Sequence, residues 1–99
     1  MADGVFMTAT AAVNWFDKNG GLHIRVYGSD GETISERCAD AGGSGWTTGT
    51  FSTGGSHVSA TVWTVNGNPS IRVYCTGDNG TTEWCNDGAA WYQGTYTPY

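Results

Sequence analysis

Apolar and polar residues alternate along most of this chain. In Ile71-Arg72-Val73-Tyr74 the aliphatic side chains fall on one side and the arginine and tyrosine on the other. That two-residue period is the mark of a strand with unlike faces. The stretch SIRVYCTGDNGTTEWC, Ser70 to Cys85, closely repeats HIRVYGSDGETISERC, His23 to Cys38. Each copy reads as four strands, in the second copy roughly His57–Trp63, Ser70–Thr76, Thr81–Asn86 and Trp91–Thr97. Between them lie TVNGNP, TGDNG and DGAA, with the glycine and Asn/Asp chemistry of tight turns. No window carries a helical stripe, and Pro69 falls at a strand entrance, where its missing N–H costs no ladder bond. The pattern predicts an all-β chain.

The copies stay in step over a long span. Ile24 and Ile71, Arg25 and Arg72, Glu36 and Glu83, and Cys38 and Cys85 are each 47 residues apart. CADAGGSGW is two residues longer than CNDGAAW, so Trp46 and Trp91, Gly49 and Gly94, and Phe51 and Tyr96 are 45 apart. Upstream, Trp15 and Trp63 are separated by 48. The length changes fall where turns belong, as duplicated units tolerate. A four-stranded unit recurring every 40 to 50 residues is the signature of a propeller blade, and propellers close with about four to eight blades. Two blades leave apolar flanks open, which predicts a ring completed by further copies: three chains give six blades, two or four chains give four or eight. The alternative is two sheets of a single sandwich. The division expected is an N-terminal extension over 1–10, a first blade over 11–53 and a second over 54–99.

Composition narrows the function. Sixteen glycines, five tryptophans and five tyrosines with only 13% charged residues argue against disorder. Nine acids against four bases give a formal charge of −5; no basic face is available for phosphates, which argues against nucleic acid. No apolar run approaches membrane-spanning length, so no membrane insertion is expected. The opening MADGVFMTAT lacks the parts of a secretory leader, so the protein is expected to stay inside, to leave by another route, or to have been cloned without its leader. The three cysteines are an odd number without CxxC spacing, and neither a disulfide framework nor a zinc site is implied. They read as small buried hydrophobes, with a Cys75–Cys85 bridge across the hairpin as the alternative. No carboxylate cluster resembles a calcium loop, and no metal or cofactor is expected.

With so few basic residues, two at matching positions carry information. Arg25 with Glu36, and Arg72 with Glu83, lie on neighbouring strands of one hairpin. An exposed cross-strand ion pair would be worth a few tenths of a kcal/mol. Each pair, however, is followed by a repeated tryptophan, Trp46 or Trp91, and a repeated glycine, Gly49 or Gly94. A planar fork of donors, a carboxylate, a flat apolar ring and a glycine that permits close backbone approach suit a sugar, with hydroxyls on its edge and C–H bonds on its face. Catalysis fits poorly. A glycosidase needs two acids, one with a raised pKa, whereas each glutamate here has an arginine as its expected partner, which favours the ionised form. Asp40 and Asp87 read as turn caps, and His23 and His57 do not match in the repeat. Trp15 and Trp63 are expected to pack between blades. Trp84, whose counterpart is Arg37, is expected at the surface or a subunit contact. A protein-binding or structural propeller is the rival reading.

The pattern IRVY…[S/T]-E-[R/W]-C-x-D…W-x-x-G-x-[F/Y], present twice between about Ala11 and Thr97, resembles the Aleuria aurantia-type fucose-binding lectins, especially their small bacterial members with two repeats per chain. The resemblance implies a six-bladed propeller built as a homotrimer, binding L-fucose and fucosylated glycans between adjacent blades. It implies a first site of Arg25, Glu36, the backbone near Thr50 beside Gly49, and Trp91. A second would take Arg72, Glu83, the backbone near Thr95 beside Gly94, and Trp46 from a neighbouring chain. The family commonly places an aromatic directly after the repeated cysteine, where this chain has Ala39 and Asn86. Loss of one stacking partner is expected to cost about 1 kcal/mol, and the two site types are expected to differ because only Asn86 can hydrogen-bond. Several sites on one rigid face can raise avidity by roughly 10²–10⁴, which suits recognition of glycans at cell surfaces.

Overall fold

A computed structural model describes residues 6–99. It contains eight strands and, among the described residues, no helix, hence none long and apolar enough to cross a membrane. The strands are β1 (Ala9–Phe16), β2 (Leu22–Ser29), β3 (Thr33–Ala39), β4 (Trp46–Gly54), β5 (His57–Val65), β6 (Asn68–Gly77), β7 (Gly80–Asn86) and β8 (Tyr92–Gln93). They form two antiparallel sheets in the orders β1-β2-β3-β4 and β5-β6-β7-β8. Within each sheet every neighbour in sequence is a neighbour in space, so turns suffice to connect the strands. The β5–β6 turn shows the chemistry: Asn66 and Gly67 both take left-handed backbone (φ 54° and 78°), the pairing that fits the twist of a two-residue hairpin loop. Gly67 is held close to the β1–β2 turn, where an added Cβ would come within 2.5 Å of the Lys18 nitrogen.

The core lies between the sheets, with β1 running beside β5. Alternation delivers Val13, Trp15, Tyr27, Ile34 and Phe51 from the first sheet and Ile71, Val73 and Cys75 from the second into one cluster. Trp84 and Trp91 pack against it from the second sheet. Trp84, expected at the surface or a subunit contact, packs within the chain instead. It points to the side of β7 opposite Glu83, and that side faces the first sheet, 6.2 Å from the Phe51 ring. All three cysteines are buried free thiols, as the small-hydrophobe reading expected.

The two sheets match in detail. The Thr8 N–H donates to the Ser29 carbonyl (2.7 Å) as the Ser56 N–H does to the Thr76 carbonyl (2.8 Å), so the correspondence begins before β1. They part at the end: β8 pairs over only Tyr92–Gln93, shorter than expected from sequence. Beyond it the chain is tied through Glu83, whose carbonyl accepts from the Gly94 N–H (2.8 Å). Phe51, at the corresponding place in β4, is clamped by the facing sheet, and Tyr96 has no such cover: they are 4% and 46% exposed.

Candidate functional site

The register of the β2–β3 hairpin sets the chemistry. Tyr27 stands opposite Glu36, and Arg25 opposite Cys38. The β3–β4 ladder shifts register between Ser35 and Arg37, leaving Glu36 beside a stretch of β4 that runs from Gly49 to Phe51. The buried Glu36 carboxylate accepts a hydrogen bond from the Tyr27 hydroxyl (2.7 Å) and another from the Phe51 N–H (3.3 Å). Burial, and then that carboxylate, push the Tyr27 hydroxyl far above its ordinary pKa, so it stays a donor. Gly49 is glycine for a steric reason: a Cβ there would lie 2.0 Å from Glu36 Oε1.

Arg25 is fixed from three sides. Its Nη1 donates to Asp40 Oδ1 (2.8 Å) and to the Ile24 carbonyl (3.0 Å). The guanidinium carbon lies 5.0 Å from the centre of the Trp15 ring, within cation–π range. Glu36 is farther, 4.0 Å from Arg25 Nε. This corrects the expected partnership. The arginine pairs first with the aspartate after the cysteine, because the register carries Glu36 to Tyr27 instead. Asp40 and Asp87 are accordingly arginine acceptors rather than simple turn caps.

The second hairpin repeats these hydrogen bonds and the cation–π contact. Arg72 Nη1 donates to Asp87 Oδ1 (2.8 Å) and the Ile71 carbonyl (3.0 Å), and its guanidinium lies 4.8 Å from the Trp63 ring centre. The Tyr74 hydroxyl donates to Glu83 (2.7 Å), as does the Tyr96 N–H (3.0 Å). These two bonds hold the Glu83 carboxyl below its usual range. Arg72, then Tyr92 and Ser70, pull Asp87 down to about 2. A Cβ at Gly94 would lie 2.1 Å from Glu83 Oε1.

What surrounds the hairpins differs. Where the two sheets meet, a cavity of about 400 Å³ is walled by Trp15, Arg25, Glu36, Gly49 and Thr50 on one side and Ile71, Asn86 and Trp91 on the other. The Trp91 ring closes it, 4.6 Å from Phe51 and 6.1 Å from Tyr27, edge-on to the latter. So Arg25, Glu36, Gly49, Thr50, Asn86 and Trp91 gather around one space. Arg72, Glu83, Gly94 and Thr95 gather likewise but face outward. Trp63 is 46% exposed where Trp15 is 7%. Trp46 and Ala39 sit opposite each other at the far side of the first sheet and line no part of the cavity.

Sequence reasoning missed Tyr27, Tyr74, Asp40 and Asp87 as parts of the site. The signal was present, since each pair is 47 residues apart, like the arginines and glutamates. It also passed over His23 and Asp17, and here no signal existed: Ser70 stands where a second histidine would.

A guanidinium lining a cavity, a carboxylate with a fixed orientation and an indole wall together serve a neutral, hydroxyl-rich ligand with an apolar face. Comparison with known families agrees: the family model described as Fungal fucose-specific lectin matches residues 4–96. A search of curated proteins returned no significant match. The class is that of carbohydrate-binding lectins, and the chain belongs to the fungal fucose-specific lectin family.

Proposed function

We propose that the protein binds L-fucose and fucosylated glycans at the seams between successive four-stranded sheets, as one third of a six-bladed propeller made by three copies. The first site lies within the chain. Arg25 and Glu36 take ring hydroxyls, the backbone near Thr50 beside Gly49 supplies a further polar contact, and the sugar's apolar face rests on Trp91. Asn86, in place of an aromatic, leaves the mouth wider and adds an amide.

The second site uses Arg72, Glu83 and the backbone near Thr95 beside Gly94, and takes Trp46 and Ala39 from a neighbouring copy. The observation that carries this reading is the contrast in cover. Trp91 packs on Tyr27 and Phe51. Their counterparts Tyr74 and Tyr96 hold the same mutual edge-on contact (5.5 Å) with no tryptophan against them. Trp46, the counterpart of Trp91, is exposed at the opposite flank. A second copy placed as the second sheet is placed on the first joins those surfaces. It also buries Leu22, exposed at the first sheet's flank, where the matching Pro69 lines the internal cavity.

The role proposed is binding without turnover, and the second site supports that reading. The hydrogen bonds that hold Glu83 below its usual range keep it an anion, which cannot donate the proton a glycosidase needs. Fucose calorimetry on Arg25→Ala and Arg72→Ala, alongside particle mass, tests the reading: each variant is expected to lose one class of site and keep its assembly.

A further inference from the structure

His23, like its partner Asp17, has no counterpart around the second site, where Ser70 stands in its place. It sits on β2 opposite Trp15, its ring stacked on the indole at 5.2 Å and 9°. Nδ1 lies 2.7 Å from Asp40 Oδ1 and Nε2 lies 2.8 Å from Asp17 Oδ2. Both ring nitrogens therefore face carboxylates, and only the imidazolium can donate to both. Asp17 is itself anchored, its other oxygen accepting from the Asn19 and Gly21 N–H groups at 2.9 Å each. Asp40 Oδ1 is the same atom that holds Arg25 at 2.8 Å. A chain thus runs from Asp17 through His23 and Asp40 to the guanidinium at the cavity wall. In the second sheet the corresponding aspartate, Asp87, is held by Tyr92 in addition to Arg72.

We propose that His23 is a positioning residue that makes sugar binding at the first site depend on pH, while the second site does not share this dependence. The inference rests on the sugar reading of the cavity. With its proton, the imidazolium shares the charge of Asp40 and fixes that carboxylate. Arg25 is then held in one orientation against Trp15. Without it, a nitrogen lone pair faces one of the two carboxylates, that contact becomes repulsive, and the anchor of Arg25 loosens. The charged groups facing the imidazole are Asp17 from the β1–β2 turn, Asp40 after β3, and Arg25 on its own strand. Cys38 is held above its ordinary range, chiefly by burial, and stays a thiol. The two carboxylates, Asp40 first, raise the pKa of His23 above its ordinary value. Its stabilising contribution is thus present below the unfolded value near 6.5 and is lost as pH rises through the raised folded value.

The test is fucose calorimetry from about pH 6 to about pH 9 on two single-class proteins, with the imidazole titration followed by NMR and assigned with His57→Asn. In Arg72→Ala, which keeps the first site, affinity is expected to fall roughly three- to tenfold as His23 loses its proton. In Arg25→Ala, which keeps the second, it is expected to stay flat. His23→Ser in the Arg72→Ala background should flatten the first profile while the protein remains folded. A flat first-site profile across the measured imidazole titration would overturn the proposal, as would an imidazole that titrates at its ordinary value. Absence of heat with fucose in every variant at every pH would overturn the sugar reading, and this inference with it.

Discussion

Arg25 and Arg72 stand in nearly identical settings, with a matching aspartate, carbonyl and indole around each, yet one lines a cavity walled by the second sheet and the other has no further sheet beside it. The difference separates two things a binding site needs. The orientation of the polar groups is local. It comes from one hairpin's register and is complete in either sheet alone. The roof is not local: it comes from the next sheet, and this chain has a next sheet for only one of its two hairpins. The exposures of Trp15 and Trp63, 7% and 46%, measure that missing neighbour.

Substituting the two roof tryptophans should part the regions most sharply. Trp91→Ala removes a ring packed on Phe51 and Tyr27 and is expected to cost about 2–4 kcal/mol of chain stability, read as a drop in the chemical denaturation midpoint. Trp46→Ala touches little within the chain. It should leave the isolated fold within about 0.5 kcal/mol while weakening assembly in sedimentation and abolishing the second class of fucose site.

Gly49→Ala comes next. The added methyl meets Glu36, which is buried and tied to Tyr27 and the Phe51 backbone, so a cost of about 1–3 kcal/mol is expected, with loss of first-site binding. Gly94→Ala meets Glu83 and, at 2.8 Å, the buried Cys85 sulfur; because Glu83 is only half-buried and freer to give, the melting temperature should fall less. Tyr27→Phe leaves a buried carboxylate short of a donor and should cost about 1–3 kcal/mol. Tyr74→Phe should cost under about 1 kcal/mol, because water can replace the lost hydroxyl.

The smallest effect concerns acid. Asp87 titrates near 2 in the folded chain, against an ordinary value of 3.8. Its contribution is therefore present above 3.8 and is lost as pH falls from there through about 2. Asp87→Asn should flatten that part of the stability profile. A profile unchanged by the substitution would mean that Arg72 does not hold this carboxylate in solution.

Much of this was legible in the sequence. Period-two alternation and turn residues located the strands, and the duplication located both arginines, both glutamates and the glycines beside them. Register was not legible. Knowing that Arg25 and Glu36 share a hairpin does not say that Tyr27 stands opposite the glutamate, and so the wrong carboxylate was expected to hold the arginine. Trp84 shows a second limit. Alternation gives the face on which a side chain lies but not what covers that face. His23 shows a third, because a residue outside the repeat has no partner to draw attention to it, and its two carboxylates come from different places in the chain, the β1–β2 turn and the end of β3.

Fucose calorimetry on the intact protein, with particle mass measured in the same solution, tests the central claim most directly. Two sites per chain on particles of three chains is the result expected, with one class of site disappearing as the particles dissociate on dilution. A monomer that binds two fucose molecules per chain, or a trimer that binds only one, would contradict the claim that a neighbouring copy completes the second site.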